Sequence, residues 1–427
     1  MANRIKKHTI YKRTLSTLLA LVTVVSFTGC SFPLDSLAFP WNEEKEEIKV
    51  IQDDNISPDF IVVEKVEELE EDESAPEALP EKNFSEASEE LVASDGLKLY
   101  AYDHLNDDEK RLYVEIYSII DTMAMDTKVS SLDMDEIEKV FNYVMYDHPE
   151  LFYIKGYSCT KYMRGSNIEK IVISGNYTMD AKAVEAAKVD VEEYVEKCIS
   201  GYNGPVDDYE KIKYVYKYLI MNTEYDLAAP NNQNVLSVVQ EGRTVCQGYA
   251  KSMQLILNRM GVFCILCEGL VKGTESHVWN IVRVGDKYYH TDATWGDASY
   301  QIEETDIDVE APEINYDFLN IPDTEIKETH VIKDNIEYPQ CNSMDDNYYV
   351  REGLYLTEID TNVIMAAFDN ARANGENMVT LKCANANVYT ALYNHMIDNK
   401  KIFDYLNGST TVNYVQFRDA CRMSFYI

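Results

Sequence analysis

His277-Val278-Trp279-Asn280-Ile281-Val282-Arg283-Val284-Gly285-Asp286-Lys287-Tyr288-Tyr289-His290-Thr291-Asp292 is the stretch that sets the fold. Its two apolar, β-branched and aromatic runs flank Gly285-Asp286, a two-residue turn signal, and predict an antiparallel hairpin. With that turn, Val284 faces Lys287 and Asp292 falls opposite Trp279. Strand side chains alternate, so His277 shares the face of Trp279. Asp292 then becomes the diagonal neighbour of His277, roughly 7–8 Å away between backbones and within side-chain reach. A slip of one residue would send Asp292 to the other face.

Upstream lies Thr244-Val245-Cys246-Gln247-Gly248-Tyr249-Ala250. Ala250, Met253, Ile256, Leu257 and Met260 follow at helical spacing and Gly261 stops the run. Cys246 is therefore expected at the N-terminus of a helix. Unpaired amides and the positive dipole end favour a thiolate there and offer donors to an oxyanion. A thiol, an imidazole and a carboxylate, in the order Cys246, His277, Asp292, are the parts of acyl transfer through a thioester. A cysteine at a helix start is by itself more often a small buried hydrophobe. The hairpin that unites the other two residues sets a catalytic reading beside the structural one.

These phrases, with Gly269 and Tyr288-Tyr289-His290-Thr291-Asp292-Ala293-Thr294-Trp295, resemble the transglutaminase-like superfamily over about Asp207 to Asp297. Tyr218 to Asp226 resembles the helix and loop before the nucleophile in bacterial members. Tyr316 to His330 resembles a looser tail of the domain. The resemblance implies a fold related to papain-like cysteine proteases, with Cys246 as nucleophile, His277 as general base and acid, and Asp292 as its orienter. Gln247, Trp279 and Trp295 are supporting residues by the same resemblance, the two tryptophans as walls of the site or, alternatively, as core aromatics. The family holds proteases, amidases and non-catalytic members, so the reaction stays open.

The N-terminus carries Arg4, Lys6, Lys7, Lys12 and Arg13, then an apolar run from Leu15 to Phe27 that is too short for a stable span. It resembles a bacterial lipoprotein signal, with Cys30 as the lipid attachment site. The body is thus expected outside the cytoplasmic membrane, held through that anchor alone. From Glu43 to Asp95 there are 20 acids and four lysines, which predicts an extended, disordered tether. The formal net charge of −35 argues against non-specific nucleic-acid binding. Nine cysteines, widely spaced, do not suggest a complete disulfide framework. Cys264 and Cys267 fall three apart on an expected strand, facing opposite ways, and read as core residues. No metal-spaced cluster is visible in the sequence, and the chemistry needs no cofactor.

The expected class is α+β: a transglutaminase-like, papain-like core with its nucleophile helix packed on an antiparallel sheet, and accessory α+β domains on both sides. The expected organisation is a signal peptide over 1–29, a tether over 30–95, a separate accessory domain over 96–206, the core over 207–338 and a small α+β domain over 339–427. In the first accessory domain, Asn106 opens a helix through Ile120, others cover Ile137–Met145 and Ala181–Cys198, and Ile171–Tyr177 is a β region. His148, beside Pro149, reads as structural. In the last domain, Tyr348-Tyr349-Val350 and Val379–Cys383 suggest strands and Asp360–Ala373 a helix. Gln301 to Asn315 reads as an acidic surface loop. The expected partner is a protein or peptide substrate. An enzyme acting on amide bonds, a cell-wall peptidase and a non-catalytic scaffold on the same fold are the three functions carried forward.

Overall fold

The computed structural model describes residues 49–51, 61–69, 99–297 and 314–427. The expected signal segment with Cys30, most of the expected tether and most of the acidic loop lie outside the described residues. Among the described residues no helix is long and apolar enough to cross a membrane.

The N-terminal part is a five-stranded sheet, order β1-β2-β4-β5-β3. Its strands are β1 (Lys49–Ile51), β2 (Ile61–Glu68), β3 (Thr127–Lys128), β4 (Ile154–Arg164) and β5 (Asn167–Tyr177). Helices α1 (Asp107–Asp121), α2 (Met134–Asp147) and α3 (Ala181–Ser200) accompany it. α1 starts where a capping box dictates: Asn106 accepts from the amides of Asp108 and Glu109, and Glu109 accepts from the amide of Asn106.

Two expectations fail here. The tether is not uniformly unstructured, because β2 pairs in parallel with β4 along all eight of its residues. An acid count averaged over the whole stretch hides the run Ile61-Val62-Val63. β4 supplies its backbone partners, Val62 is buried, and Glu64 pairs with Lys161 at 2.6 Å. Nor is the N-terminal part packed as a separate domain. One apolar cluster runs without a break from Leu112, Phe141 and Tyr157 to Leu219, Tyr249 and Met253. α3 offers Val184, Val191 and Val195 to this shared core, so the expected boundary at Val206 is a change in composition and not in packing.

The central part contains α4 (Asp208–Asn222), the short strand β6 (Glu224–Tyr225), α5 (Val235–Glu241), β7 (Arg243–Thr244) and α6 (Cys246–Arg259). A four-stranded antiparallel sheet follows: β8 (Cys264–Val271), β9 (Glu275–Val284), β10 (Lys287–Thr291) and β11 (His330–Ile332), in the order β10-β9-β8-β11. The β9–β10 register pairs Val284 with Lys287, as the two-residue turn requires, and Gly285 takes φ 60° at that turn. Cys264 and Cys267 are buried in two different apolar clusters, one on each face of β8.

The C-terminal part has its own core, built on Phe368, Leu381, Leu392 and Phe425. Its sheet, order β12-β13-β15-β14, uses β12 (Tyr355–Leu356), β13 (Met378–Cys383), β14 (Tyr414–Phe417) and β15 (Arg422–Tyr426) with α7 (Thr361–Ala373) and α8 (Ala386–Tyr393). Tyr348–Arg351 is a helical turn and not a strand. Asn347 caps it and Gly353, at φ 70°, closes it, local chemistry that outweighs the β propensity of two tyrosines and a valine.

Candidate active site

Cys246 is the first residue of α6. Its N-cap, Val245, brings no side-chain hydrogen bond to the first turn, so the cap residue itself does not occupy the helix's positive end. The turn is held from below. A Cβ on Gly248 would stand 1.9 Å from Thr244 Oγ1, so only glycine lets β7 lie this close to the helix. Thr244 is itself fixed by Ser237, at 2.6 Å, and donates to the carbonyl of Asn232 at 2.8 Å. Tyr249 reaches out of the same turn to the carbonyl of Thr223 at 3.1 Å and to Asp297 at 2.8 Å. Asn280 on β9 donates to the carbonyls of Ala250 and Ile265, pinning helix to sheet.

The hairpin delivers the other two residues. His277 Nε2 lies 2.7 Å from Asp292 Oδ2. The Cys246 side chain is within hydrogen-bonding reach of the same imidazole. With Nε2 engaged by the carboxylate, Nδ1 is the ring nitrogen that remains for the thiol. The structure thus brings Cys246, His277 and Asp292 together, with thiol, imidazole and carboxylate in one array.

Asp292 is more constrained than the hairpin alone implies. Its Oδ1 accepts from the amides of Thr294 and Trp295, capping the helical turn Ala293–Gly296. Its Oδ2 serves a second histidine, His330 Nε2, at 3.1 Å. Burial disfavours the Asp292 carboxylate, but His277 and His330 prevail and hold it well below the usual carboxylate range. Burial likewise opposes charge on His277. The adjacent Asp292 carboxylate and Cys246 outweigh it and push the imidazole up to about 10.

His330 escaped the sequence reading as a site residue. It lies 38 residues beyond Asp292, on β11 at the far edge of the sheet. The backbone carries it in through a bridge between His290 and Ile321 and a bond from the Asp292 amide to the Phe318 carbonyl at 2.9 Å. The one signal in the sequence was the looser resemblance of Tyr316–His330 to the tail of the domain.

Of the two readings of the tryptophans, walls of the site or core aromatics, the structure favours the second: neither lines the cleft. Trp279 is 1% exposed and stacks behind His277, with centroids 5.9 Å apart and planes 19° from parallel. Trp295 meets His277 edge to face and lies tilted by 55° against His330. Both back the imidazole and fix its plane, a consequence of the alternation that puts Trp279 on the same face as His277. The cleft, of about 160 Å³, is instead lined by Cys246, Gln247, His277, Glu268, Ser276 and Lys333 among others. Gln247, a supporting residue by resemblance, thus borders the nucleophile.

Among the described residues, two groups bring metal-binding atoms within 4.8 Å of one another: His277, Asp292 and His330, and His290, Asp323 and Cys341. The sequence showed neither, because each is assembled across strands. The second does not suit a cation. Trp279 donates its indole N–H to His290 Nδ1 at 3.0 Å, which leaves the proton of His290 on Nε2, 2.8 Å from Asp323. A metal at Nε2 would need that proton moved to Nδ1, against the indole N–H. Burial also keeps His290 below its ordinary pKa, in line with a neutral ring.

Residues 193–293 match the sequence model described as the transglutaminase-like superfamily. The chain carries a transglutaminase-like domain. Over 105 residues it is 25% identical to the human protein named kyphoscoliosis peptidase, a match that covers 21% of this chain and 16% of the human one. A solved structure titled as a TGase aligns with 36% of this chain and 55% of its own, at 12% identity and a TM-score of 0.25. A putative cysteine protease from Cytophaga hutchinsonii aligns with 32% of this chain and 61% of its own, at 12% identity and a TM-score of 0.22. The transglutaminase-like domain is of mixed α and β content. The matched residues take in Cys246, His277 and Asp292 together with α6 and the β9–β10 hairpin.

Proposed function

We propose that the chain is a thiol enzyme acting on protein or peptide amide bonds through a thioester at Cys246. The observation that carries this reading is the continuous array from Cys246 through His277 to Asp292. His277 takes the thiol proton, and the sulfur attacks the amide carbonyl. The developing oxyanion falls near the first-turn amide of Cys246, with the Gln247 side chain beside it on the cleft. Collapse expels the amine, to which His277 returns the proton, and leaves a Cys246 thioester. Water then completes hydrolysis, or a second amine completes acyl transfer. Asp292, acceptor to His277 and braced by His330, keeps the ring aligned and supports its charged form.

In location, the reading is of an extracytoplasmic protein anchored through lipidated Cys30, supported by the signal-like N-terminus. Detergent-phase partition of the wild-type chain, lost in Cys30→Ala, is the expected behaviour.

Alkylation of the full chain with iodoacetamide across pH, read out by peptide mass spectrometry, tests the nucleophile. Among the described cysteines only Cys246 and Cys421 are not buried, so Cys421 is the internal reference. Cys246 should react faster than Cys421 below pH ~8.5, the free-thiol pKa, and lose that advantage in His277→Ala. Equal rates at the two thiols would retire the enzyme in favour of a scaffold that keeps the fold. Incubation with glutamine-bearing peptides, with and without a primary amine, would then separate transfer from hydrolysis by the product formed.

A further inference from the structure

We propose that the cleft selects substrates bearing a carboxylate next to the reacting amide, and that Lys333 is the residue that receives it. The proposal rests on the reading of Cys246 as the nucleophile and goes on to name a substrate class.

Lys333 follows directly on β11, and its amide donates to the carbonyl of Glu268 at 2.9 Å. The β11–β8 register pairs Ile332 with Gly269, so Lys333 continues that register opposite Glu268. Glu268 in turn pairs with Val278 on β9. Residues paired across strands share a face. This is the face on which Leu266 and Val278 pack against Ala250 of α6, the helix that carries Cys246. Lys333, Glu268 and Ser276 line the same small cleft as Cys246 and His277.

The charge of Lys333 is available. Its amine forms no ion pair among the described residues, in a chain with 74 acids against 39 basic residues. The acid nearest in the sheet, Glu268, feels the Lys333 charge across the strands but makes no direct ion pair with it; its hydrogen bonds go to Asn335, at 3.0 Å, and to Tyr146. Burial raises the Glu268 pKa against the opposing pull of Lys333, so this carboxyl is a weakened counter-ion. The other lysine near this face, Lys251, is turned to the carbonyl of Gln233 at 2.9 Å. A cation left without an ion-pair partner on the cleft wall of a strongly anionic chain suits a single anionic group on a short, flexible ligand. The net charge repels large polyanions, so the fitting class is a peptide with an acidic side chain or a C-terminal carboxylate beside the amide.

Two alkylating agents of nearly equal size test this on the full chain. Iodoacetate carries a carboxylate and iodoacetamide does not. The rates at Cys246 are measured for wild type, Lys333→Gln and Lys333→Glu, with Cys421 as reference. The expected result is a fall of about tenfold in the iodoacetate-to-iodoacetamide ratio in Lys333→Gln, with the iodoacetamide rate unchanged. Lys333→Glu should lower the ratio further. His277 is present in all three, so its own contribution cancels. A ratio that does not move on either substitution overturns the proposal. The absolute iodoacetamide rate reports separately on whether Cys246 is activated, and the ratio stays measurable even at a slow thiol. Failure of the nucleophile and failure of the selector are therefore read from different numbers.

Discussion

The central unit around the β8–β11 sheet and the C-terminal unit both combine helices with a sheet, yet their interiors are built differently. In the C-terminal unit the core is a plain apolar cluster around Phe368, Leu381, Met423 and Phe425. At the central sheet, polar side chains are buried as deeply: His277, His290, Thr291, Asp292, Asn320 and His330 are each at most 4% exposed. Removing an apolar side chain costs transfer energy and a cavity, and its neighbours can partly relax. Removing one member of a buried polar chain leaves the others unsatisfied at fixed positions. One interior should answer to mutation in stability and the other in chemistry.

Asp292→Asn should show the largest effect. An amide cannot accept from both histidines and the two amides while keeping the His277 ring in the same protonation state. Turnover should fall on the order of 10³-fold or more, as measured by kcat on any amide substrate found. An activity within a few-fold of wild type would erase the distinction between the two regions.

His330→Phe preserves the aromatic packing around Trp279 and Trp295 and removes one bond to Asp292. The expected loss is about 10- to 100-fold, in kcat rather than KM, since a positioning group is removed and not a binding one. The Cys246 alkylation profile with pH should also shift, a readout that a merely structural His330 would leave alone.

Phe368→Ala supplies the opposite arm. It should lower unfolding free energy by about 3–5 kcal/mol in denaturant titration, while the alkylation rate of Cys246 in the folded protein stays unchanged. A parallel loss of reactivity would mean that the two cores are energetically one.

The smallest effect is the pH dependence of stability, and its sign follows from the two shifts. The raised His277 pKa contributes stability that is complete below its ordinary value near 6.5 and is lost as pH rises towards about 10. The lowered Asp292 pKa contributes stability present above its ordinary value near 3.8 and lost as pH falls below it. Melting temperature should therefore be highest between roughly pH 4 and 6.5, as far as this pair governs it, and the curve should flatten in Asp292→Asn. The same alkaline limb should appear in activity, where it moves to lower pH in that variant.

How much of this was legible follows the same division. The hairpin register was readable because a two-residue turn and strict alternation leave one solution, and they brought Asp292 to His277. The start of α6 at Cys246 was readable from apolar spacing and the stop at Gly261. The Tyr348 turn was misread because a cap three atoms long outweighed three residues of β propensity. The strand at Ile61 was hidden because its partner, β4, lies some ninety residues downstream.

By itself, then, the sequence determined the local geometry: the helix that begins at Cys246, the hairpin that aligns His277 with Asp292, and an excess of acid that makes any free cation conspicuous. Tertiary structure decided which distant groups close on that nucleus. It brought His330 to the shared carboxylate, turned Trp279 inward onto His290, merged the N-terminal part into the central core, and left Lys333 lining the cleft. Local elements follow from near neighbours and backbone periodicity. These other contacts depend on strand order and on loops closing over tens of residues, for which a linear pattern carries no distance.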